Sequence, residues 1–169
     1  LEIRGVDPYN NNCSVIINIT VEDTTDATWD ETPTDQLLEF GDSLNYDVNA
    51  SDLSVVTYWL NDTGTFNIDG NGVITDVMAL IVKVYWLEIR GCDPYNNNCS
   101  VIINITVEDT TDATWDEVPT DQLLEIGASW YYEVNASDLS SIAQYWINNT
   151  VTFEIDGNGV ITNITVLLT

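Results

Sequence analysis

The chain has 169 residues, of which 44% are apolar, so it is long enough for one ordinary domain or two small ones with a real core. Its 28 acidic residues against 3 basic ones give a net charge of −25, which disfavours nucleic acid and anionic membrane surfaces as partners. The sequence contains no histidine, which excludes a His general base, a His metal ligand and a Ser-His-Asp triad. The longest wholly apolar run, residues 77–82, is far shorter than the roughly 18–20 residues of a spanning helix, so membrane insertion is not expected.

The chain contains an internal repeat with an offset of 86 residues. Residues 1–53 and 87–139 differ at only seven positions, and the offset then becomes 87 because the second copy has one extra residue. Such near-identity between neighbouring copies indicates a recent duplication within a longer array. The repeat predicts three parts: residues 1–23 are the closing hairpin of an incomplete sandwich, residues 24–109 are a complete repeat, and residues 110–169 are the opening strands of a second repeat.

Both copies are predicted to be all-β. In residues 100–109 apolar side chains recur at every second position, which is the pattern of a half-buried strand, and residues 85–89 alternate in the same way. Turn sequences such as Asp-Gly-Asn-Gly separate these stretches, and no segment has a helical apolar period. Short strands, frequent turns and about 86 residues per unit predict a β-sandwich of roughly seven strands in each repeat.

The strands resemble those of cadherin-type repeats. Residues 85–93 (YWLEIRGCD) are similar to the YxLxVxAxD strand, residues 103–109 (INITVED) to the closing VxIxVxD strand, and residues 66–75 (FNIDGNGVIT) to FxIDxxTGxI. Ser54 and Ser140 replace the second Asp of the DxD motif, and no LDRE motif is present. The IDGNGVIT string and its surroundings resemble still more closely the tandem cadherin-like or Ig-like repeats of archaeal surface proteins. This resemblance implies an extracellular, cell-surface location and no known chemistry.

Nine Asn-x-Ser/Thr sequons are present where chance gives about three, which is the strongest functional signal in the sequence. Asn18 and Asn104 alternate with the apolar positions of their strands, so their side chains are expected to face solvent, as a glycan requires. Sequons that end in Thr are the stronger candidates, and those with Cys in the middle are the weaker ones. The predicted glycosylation sites are Asn18, Asn61, Asn104, Asn148, Asn163, Asn49, Asn135, Asn12 and Asn98.

The three cysteines are divided unequally between the copies. Cys92 and Cys99 flank a turn between two strands, and a hairpin of that length brings two Cα atoms to roughly 5.5 Å, which predicts a disulfide. Cys13 is the copy of Cys99, but Val6 stands at the copy of Cys92, so Cys13 has no partner in its own hairpin. An odd cysteine in an oxidising compartment indicates an intermolecular link or a free thiol. The alternative is that all three are small buried apolar residues.

Carboxylates concentrate where the cadherin register places a domain junction. Such oxygen ligands suit Ca²⁺, and neutralising them stiffens an array, so calcium is a candidate cofactor although none is required. The alternative is that these residues are solvated turns and caps. A glycosidase site is disfavoured because the carboxylates are scattered through turns, with no insertion to form a cleft. The candidate calcium ligands are Asp7, Asp23, Asp26, Asp52, Asp93, Asp109, Asp112 and Asp138.

These features predict a structural subunit of an extracellular, glycosylated filament or surface stalk without enzymatic activity. The alternative is a cadherin-like adhesin that binds glycans or other cells, whereas a surface hydrolase is disfavoured by the missing histidine and the regular repeat. Residues 1–23 and 110–169 are complementary parts of one repeat, and only the counterparts of residues 83–86 lie between them. Copies of the chain are therefore expected to assemble head to tail, each hairpin completing the next sandwich, or to continue as one tandem array.

Overall fold

The computed structural model describes residues 1–168, which form β-strands and turns and no helix. The prediction of an all-β chain is therefore confirmed. Nothing in this range has the helical length and hydropathy that crossing a bilayer requires. The strands are β1 (Glu2–Val6), β2 (Asn12–Ile16), β3 (Thr28–Trp29), β4 (Gln36–Glu39), β5 (Asn45–Asp47), β6 (Ala50–Ser51), β7 (Thr57–Leu60), β8 (Phe66–Ile68), β9 (Val73–Asp76), β10 (Lys83–Cys92), β11 (Asn98–Glu108), β12 (Thr114–Trp115), β13 (Tyr131–Glu133), β14 (Ala136–Ser137), β15 (Phe153–Ile155) and β16 (Val160–Asn163).

The first repeat is a two-layer sandwich. One sheet has the order β4-β11-β10-β7, the other has the order β5-β9-β8, and β3 and β6 form a separate pair. All neighbours are antiparallel except β4 and β11, which run parallel with Ile105 opposite Gln36. The core lies between the two sheets, where side chains from β8 and β9 pack on those of β10 and β11. This is the arrangement of a β-sandwich, in which each strand buries alternate residues.

The hairpin of β10 and β11 supplies the two central strands of the four-stranded wall of this core. Its ten paired positions run from Lys83 opposite Val107 to Cys92 opposite Asn98. The inward residues are at most 7% exposed, whereas Trp86 and Ile102 on the outer face are 70% and 61% exposed. The period-two pattern in the sequence therefore marks the buried face correctly. The inward residues are Tyr85, Leu87, Ile89, Ile103, Ile105 and Val107.

The second repeat contains only part of this sandwich within the described residues. Strands β13-β16-β15 reproduce the sheet β5-β9-β8, and β12-β14 reproduces β3-β6. The counterparts of β4 and β7 are residues 122–125 and 144–147, and neither segment is a strand. In the first repeat these are the two segments that pair with β11 and β10. They are unpaired in the second repeat because the hairpin between them is missing.

The amino-terminal hairpin has the sequence of β10 and β11 but none of their neighbours. Strands β1 and β2 keep the same register, with Glu2 opposite Ile16 and Val6 opposite Asn12, and form a sheet of their own. The sequence predicts that this hairpin completes a neighbouring sandwich, and within the single chain, over residues 1–168, it pairs with no other strand. Ile19 is 69% exposed where its counterpart Ile105 is fully buried. An isolated two-stranded hairpin is marginally stable in water, so this segment lacks the packing that fixes its copy.

This contrast predicts different effects for one substitution made in the two copies. Ile105→Ala should lower the free energy of unfolding by about 2–5 kcal/mol, because it opens a cavity in a packed core. Ile19→Ala should change it by less than about 0.5 kcal/mol in dilute solutions of single chains, because that side chain is exposed. Urea denaturation followed by tryptophan fluorescence measures both values. Equal decreases in the free energy of unfolding for the two variants would contradict the difference in packing between the two hairpins.

Candidate functional site: the hairpin tip and the acidic cluster

The tip of the β10–β11 hairpin is organised by one carboxylate. Asp93 accepts hydrogen bonds from the backbone N–H of Tyr95 at 2.9 Å, and from the N–H and Nδ2 of Asn97 at 2.7 and 3.0 Å. Asn96 takes a left-handed conformation with φ of 73°, which Asn tolerates better than most residues. The same bonds recur at the other tip, where Asp7 accepts from Tyr9 and Asn11. The tip shape is therefore set by local sequence and does not require a docked position.

In the first repeat this tip docks against the loops that open the sandwich. The Ser54 hydroxyl shares its one proton between Asp52 at 2.6 Å and Asp93 at 3.2 Å. Nδ2 of Asn97 donates to the backbone carbonyl of Asp23 at 3.1 Å. The backbone N–H of Asn98 donates to Asp26 at 3.3 Å. These contacts leave Asp93 only 5% exposed. Three polar bonds thus fix the end of the hairpin over the start of the repeat.

The docked tip gathers three carboxylates of the predicted calcium set. Oxygen atoms of Asp23, Asp52 and Asp93 all lie within 4.8 Å of one another. Hydrogen bonds from the hydroxyl and N–H of Ser54 hold the pKa of Asp52 below its ordinary value. Burial acts to raise the pKa of Asp93, but hydrogen bonds to its carboxylate, led by those from Asn97, outweigh it and lower that pKa. Both groups are therefore anionic at neutral pH, and hard oxygen ligands of this kind suit Ca²⁺.

The other five predicted ligands do not join this cluster. Asp26 lies beside it but accepts the bond from Asn98. Asp109, Asp112 and Asp138 line an open cavity of about 650 Å³ in the second repeat. Asp7 lies on the separate amino-terminal hairpin, where its carboxylate is bonded to Asn11. Within residues 1–168 the structure thus brings three of the eight predicted ligands together, and calcium binding stays a prediction.

The cavity in the second repeat corresponds to the space that the docked tip fills in the first. Asp109, Asp138 and Ser140, which line it, are the counterparts of Asp23, Asp52 and Ser54. Trp115 and Tyr145 stack beside the cavity as Trp29 and Tyr58 do in the first repeat. The side chains that contact the tip in one repeat are thus all present in the other, and only the tip itself is missing.

The predicted disulfide between Cys92 and Cys99 is absent, and both thiols are free. Cys92 lies opposite Asn98, while Cys99 lies opposite Gly91. Residues directly opposite share a face of the sheet and successive residues alternate, so the two sulfur atoms project to opposite faces. The prediction from loop length failed because it took no account of this register. Cys13 is also free and is exposed, as its unpartnered position suggests.

The asparagine side chains of the nine sequons fall into two groups: exposed ones, and ones whose amides already make hydrogen bonds. Asn18, Asn49, Asn135 and Asn148 are exposed, as are Asn12 and Asn98 at the hairpin tips. The side-chain amides of the other three already make hydrogen bonds. Asn61 bonds to the backbone of β10, and Asn104 contacts Asp35. Asn163 accepts a bond from the backbone N–H of Trp130 and donates one to the carbonyl of Thr165. Asn104 lies on the outer face of the sheet, as the alternation predicts, but its side chain is only half-exposed because the loop before β4 lies over it. Glycosylation itself stays a prediction.

Calcium binding to the cluster is testable with a matched pair of variants. In single chains, Ca²⁺ should raise the melting temperature of the wild-type protein, because a cation relieves repulsion between three close carboxylates. Asp93→Asn should abolish that shift. Asp7→Asn is the control, since Asp7 has the same local sequence but no neighbouring Asp23 and Asp52, and it should leave the shift unchanged. A shift that survives Asp93→Asn would place the ion elsewhere.

Comparison with known proteins agrees with this architecture. No protein-family model and no curated relative matches the chain. The fold is similar to Drosophila N-cadherin domains EC1-3, with a TM-score of 0.55 and 15% identity over 80% of this chain and 53% of that one. It is also similar to titin domains Z1Z2, with a TM-score of 0.50 and 11% identity over 87% of this chain and 85% of that one. The chain spans 56% of the protocadherin gamma B7 structure that it matches and 53% of the N-cadherin structure, about half of each. By fold, the chain consists of tandem cadherin-like, Ig-like β-sandwich repeats.

Proposed function

We propose that the chain is a structural subunit of an extracellular, glycosylated filament or surface stalk, without catalytic activity. In this proposal the hairpin of residues 1–23 completes the sandwich begun by residues 110–168 of the next copy, or the same joint recurs along one continuous array. The density of sequons supports an extracellular location.

One observation carries the proposal: the same sequence is buried in one copy and exposed in the other. Val107 is 2% exposed in the first repeat, whereas Val21 at the matching position is 90% exposed. Leu87 is fully buried, whereas Leu1 is 67% exposed. Apolar side chains on an alternating face are stabilised only when a second layer covers them. The hairpin therefore carries a complete core face for which the single chain provides no partner within the described residues.

The second repeat offers the matching surface. In the first repeat Leu60, beside the hairpin in β7, and Phe66 and Ile74, in the facing sheet, are at most 1% exposed. Their counterparts Ile147, Phe153 and Ile161 are only half-buried. Apolar side chains at the matching positions thus line a sandwich that lacks the central strands of one sheet. Covering this surface with the face of residues 1–23 would remove apolar area from water on both sides, at roughly 25 cal/mol for each Å² buried.

The first repeat specifies the register of this joint. Ile89 lies opposite Leu60 in the antiparallel pair, which places Ile3 opposite Ile147 of the next copy. Ile105 lies opposite Gln36 in the parallel pair, which places Ile19 opposite Gln122. Segments 122–125 and 144–147 would then become strands, since each would gain the backbone partner that it lacks. This is strand addition at two edges at once, which combines a backbone ladder with a shared core.

The symmetry of the joint determines the shape of the assembly. Its two surfaces are different parts of the chain, so each copy uses one and offers the other, and the contact propagates as a fibre unless the rotation closes a ring. The net charge of −25 opposes this association because every copy repels the next. At about 0.1 M salt the Debye length is about 10 Å, so assembly should strengthen from low to physiological ionic strength.

A cadherin-like adhesin is the second candidate, and one surface favours it. On the outer face of the four-stranded sheet, Trp59 and Trp86 are 47% and 70% exposed. Exposed tryptophan rings are able to stack on sugars or on another protein. In that case isolated monomers would be retained on a glycan array, whereas the structural proposal requires uniform fibres.

The filament proposal predicts fibres that a peptide inhibits. The full chain at micromolar concentration and physiological salt should form long uniform fibres in negative-stain images. A synthetic peptide of residues 1–23 with Cys13→Ser should shorten them, because it occupies the acceptor surface. The matched control is the same peptide with Ile17→Asp and Ile19→Asp, which places charges on the core face and should have no effect. Chains that stay monomeric in salt, or fibres indifferent to the first peptide, would contradict the proposal.

A further inference from the structure

We infer that Asn18 is a joint residue that bonds Asp121 of the next copy, and that an N-glycan on Asn18 blocks the joint. This inference rests on the proposed head-to-tail function. One of the nine sequons would then take part in assembly, and glycosylation of that sequon would stop the filament from growing. Both statements rest on the environment of Asn104, which has the same local sequence in the completed sandwich.

Asn104 is held against the loop that precedes β4. Its backbone N–H donates to one carboxylate oxygen of Asp35 at 2.8 Å, and its Nδ2 lies 3.4 Å from the other. Its side-chain oxygen Oδ1 is buried and has no hydrogen-bond partner. The atom that would carry a glycan, Nδ2, therefore faces a carboxylate at contact distance. An N-linked sugar on Nδ2 needs free space in the place where Asp35 lies.

The equivalent pair in the lone chain is open on both sides. Asn18 is exposed, and Asp121, the counterpart of Asp35, is exposed as well. Neither side chain makes a hydrogen bond among the described residues, although both residue types are retained. Residues 16–22 and 119–125 match 102–108 and 33–39 without a single difference. The two groups that meet within the first repeat are thus both available to meet between copies.

The location of Asn18 explains why its modification would matter more than that of other sequons. The strand β11 pairs in parallel with β4, and Asn104 lies next to the first paired position, Ile105 opposite Gln36. A glycan at the matching point of the joint would separate the two strands where their ladder begins. Asn12, in the same hairpin, matches Asn98, whose side chain is exposed in the docked state. A glycan on Asn12 is therefore compatible with the joint, whereas a glycan on Asn18 is not.

A glycopeptide series tests this inference. The acceptor is the full chain with Ile19→Asp, whose own hairpin cannot dock. The probes are fluorescent peptides of residues 1–23 with Cys13→Ser, either unmodified or carrying one N-acetylglucosamine on Asn18 or on Asn12. Fluorescence polarisation should give an affinity about 100-fold weaker for the Asn18 glycopeptide than for the unmodified peptide. The Asn12 glycopeptide should bind within about threefold of the unmodified one, since it differs only in where the sugar lies.

A second arm tests the partner residue. Asp121→Ala in the acceptor should weaken its affinity for the unmodified peptide about tenfold. The ratio of the affinities for the unmodified peptide and the Asn18 glycopeptide should therefore become smaller. Glu117→Ala is the control and should change neither value, because its counterpart Glu31 makes no bond to the hairpin among the described contacts. Equal binding of the Asn18 glycopeptide and the unmodified peptide would overturn this inference alone. Failure of the unmodified peptide to bind would overturn the proposed function, and this inference with it.

Discussion

The structure depends on how the apolar face of one hairpin is covered. In the first repeat the second sheet packs on the face of β10 and β11, the two central strands of the four-stranded sheet. The residues of that face and those packed against it are among the most buried of the described chain. The same sequence at residues 1–23 has no second sheet, and its strands are shorter: β2 ends at Ile16, whereas β11 continues to Glu108. Strand length in this protein thus follows from packing and not from local propensity, because the propensities of the two copies are the same.

The hairpin tip shows how a strongly acidic chain uses its carboxylates. Many of them accept bonds from nearby backbone N–H groups in turns, as Asp69 and Asp156 do at the two IDGNGVIT turns. Those bonds lower the pKa of both groups relative to an unfolded chain. The stability that they contribute is present at neutral pH and is lost as the pH falls through the lowered pKa values. The net charge of −25 therefore coexists with well-defined turns, although it opposes contact between copies.

The sequence predicts what depends on periodicity and repetition. The alternation in residues 100–109 identifies the buried positions Ile103, Ile105 and Val107, and the offset between copies identifies the unmatched hairpin. It does not predict features that depend on strand register or on distant loops. The disulfide prediction for Cys92 and Cys99 failed because a shift of one position reverses the face of a side chain.

The sequence also does not predict the parts of the candidate site that depend on contacts between distant loops. The engagement of Asn104 depends on Asp35, which lies 69 positions away in sequence. The carboxylate cluster likewise joins Asp23, Asp52 and Asp93 from three separate segments. Asp occurs at both position 35 and position 121, which is a sequence signal for the contact with Asn104. The pattern alone, however, does not say which strand lies beside the loop that carries this Asp.

In the proposed assembly, residues 1–23 pair with the second repeat of another copy in the register of the first repeat. In that register Cys92 lies opposite Thr57, so Val6 would lie opposite Gln144 of the next copy. Directly opposite residues have Cα atoms roughly 4.5–5.5 Å apart, within disulfide range. Thr57→Cys with the native Cys92 is the positive control and should give an internal disulfide.

The decisive measurement is disulfide cross-linking of a chain with Val6→Cys and Gln144→Cys, in which Cys13, Cys92 and Cys99 are replaced by Ser. Oxidation should give a ladder of covalent oligomers on a non-reducing gel, and reduction should collapse it. Val6→Cys combined with Asn148→Cys, which is out of register by four positions, should give little of that ladder. A product that stays monomeric, whether unlinked or linked within one chain, would contradict assembly by hairpin complementation.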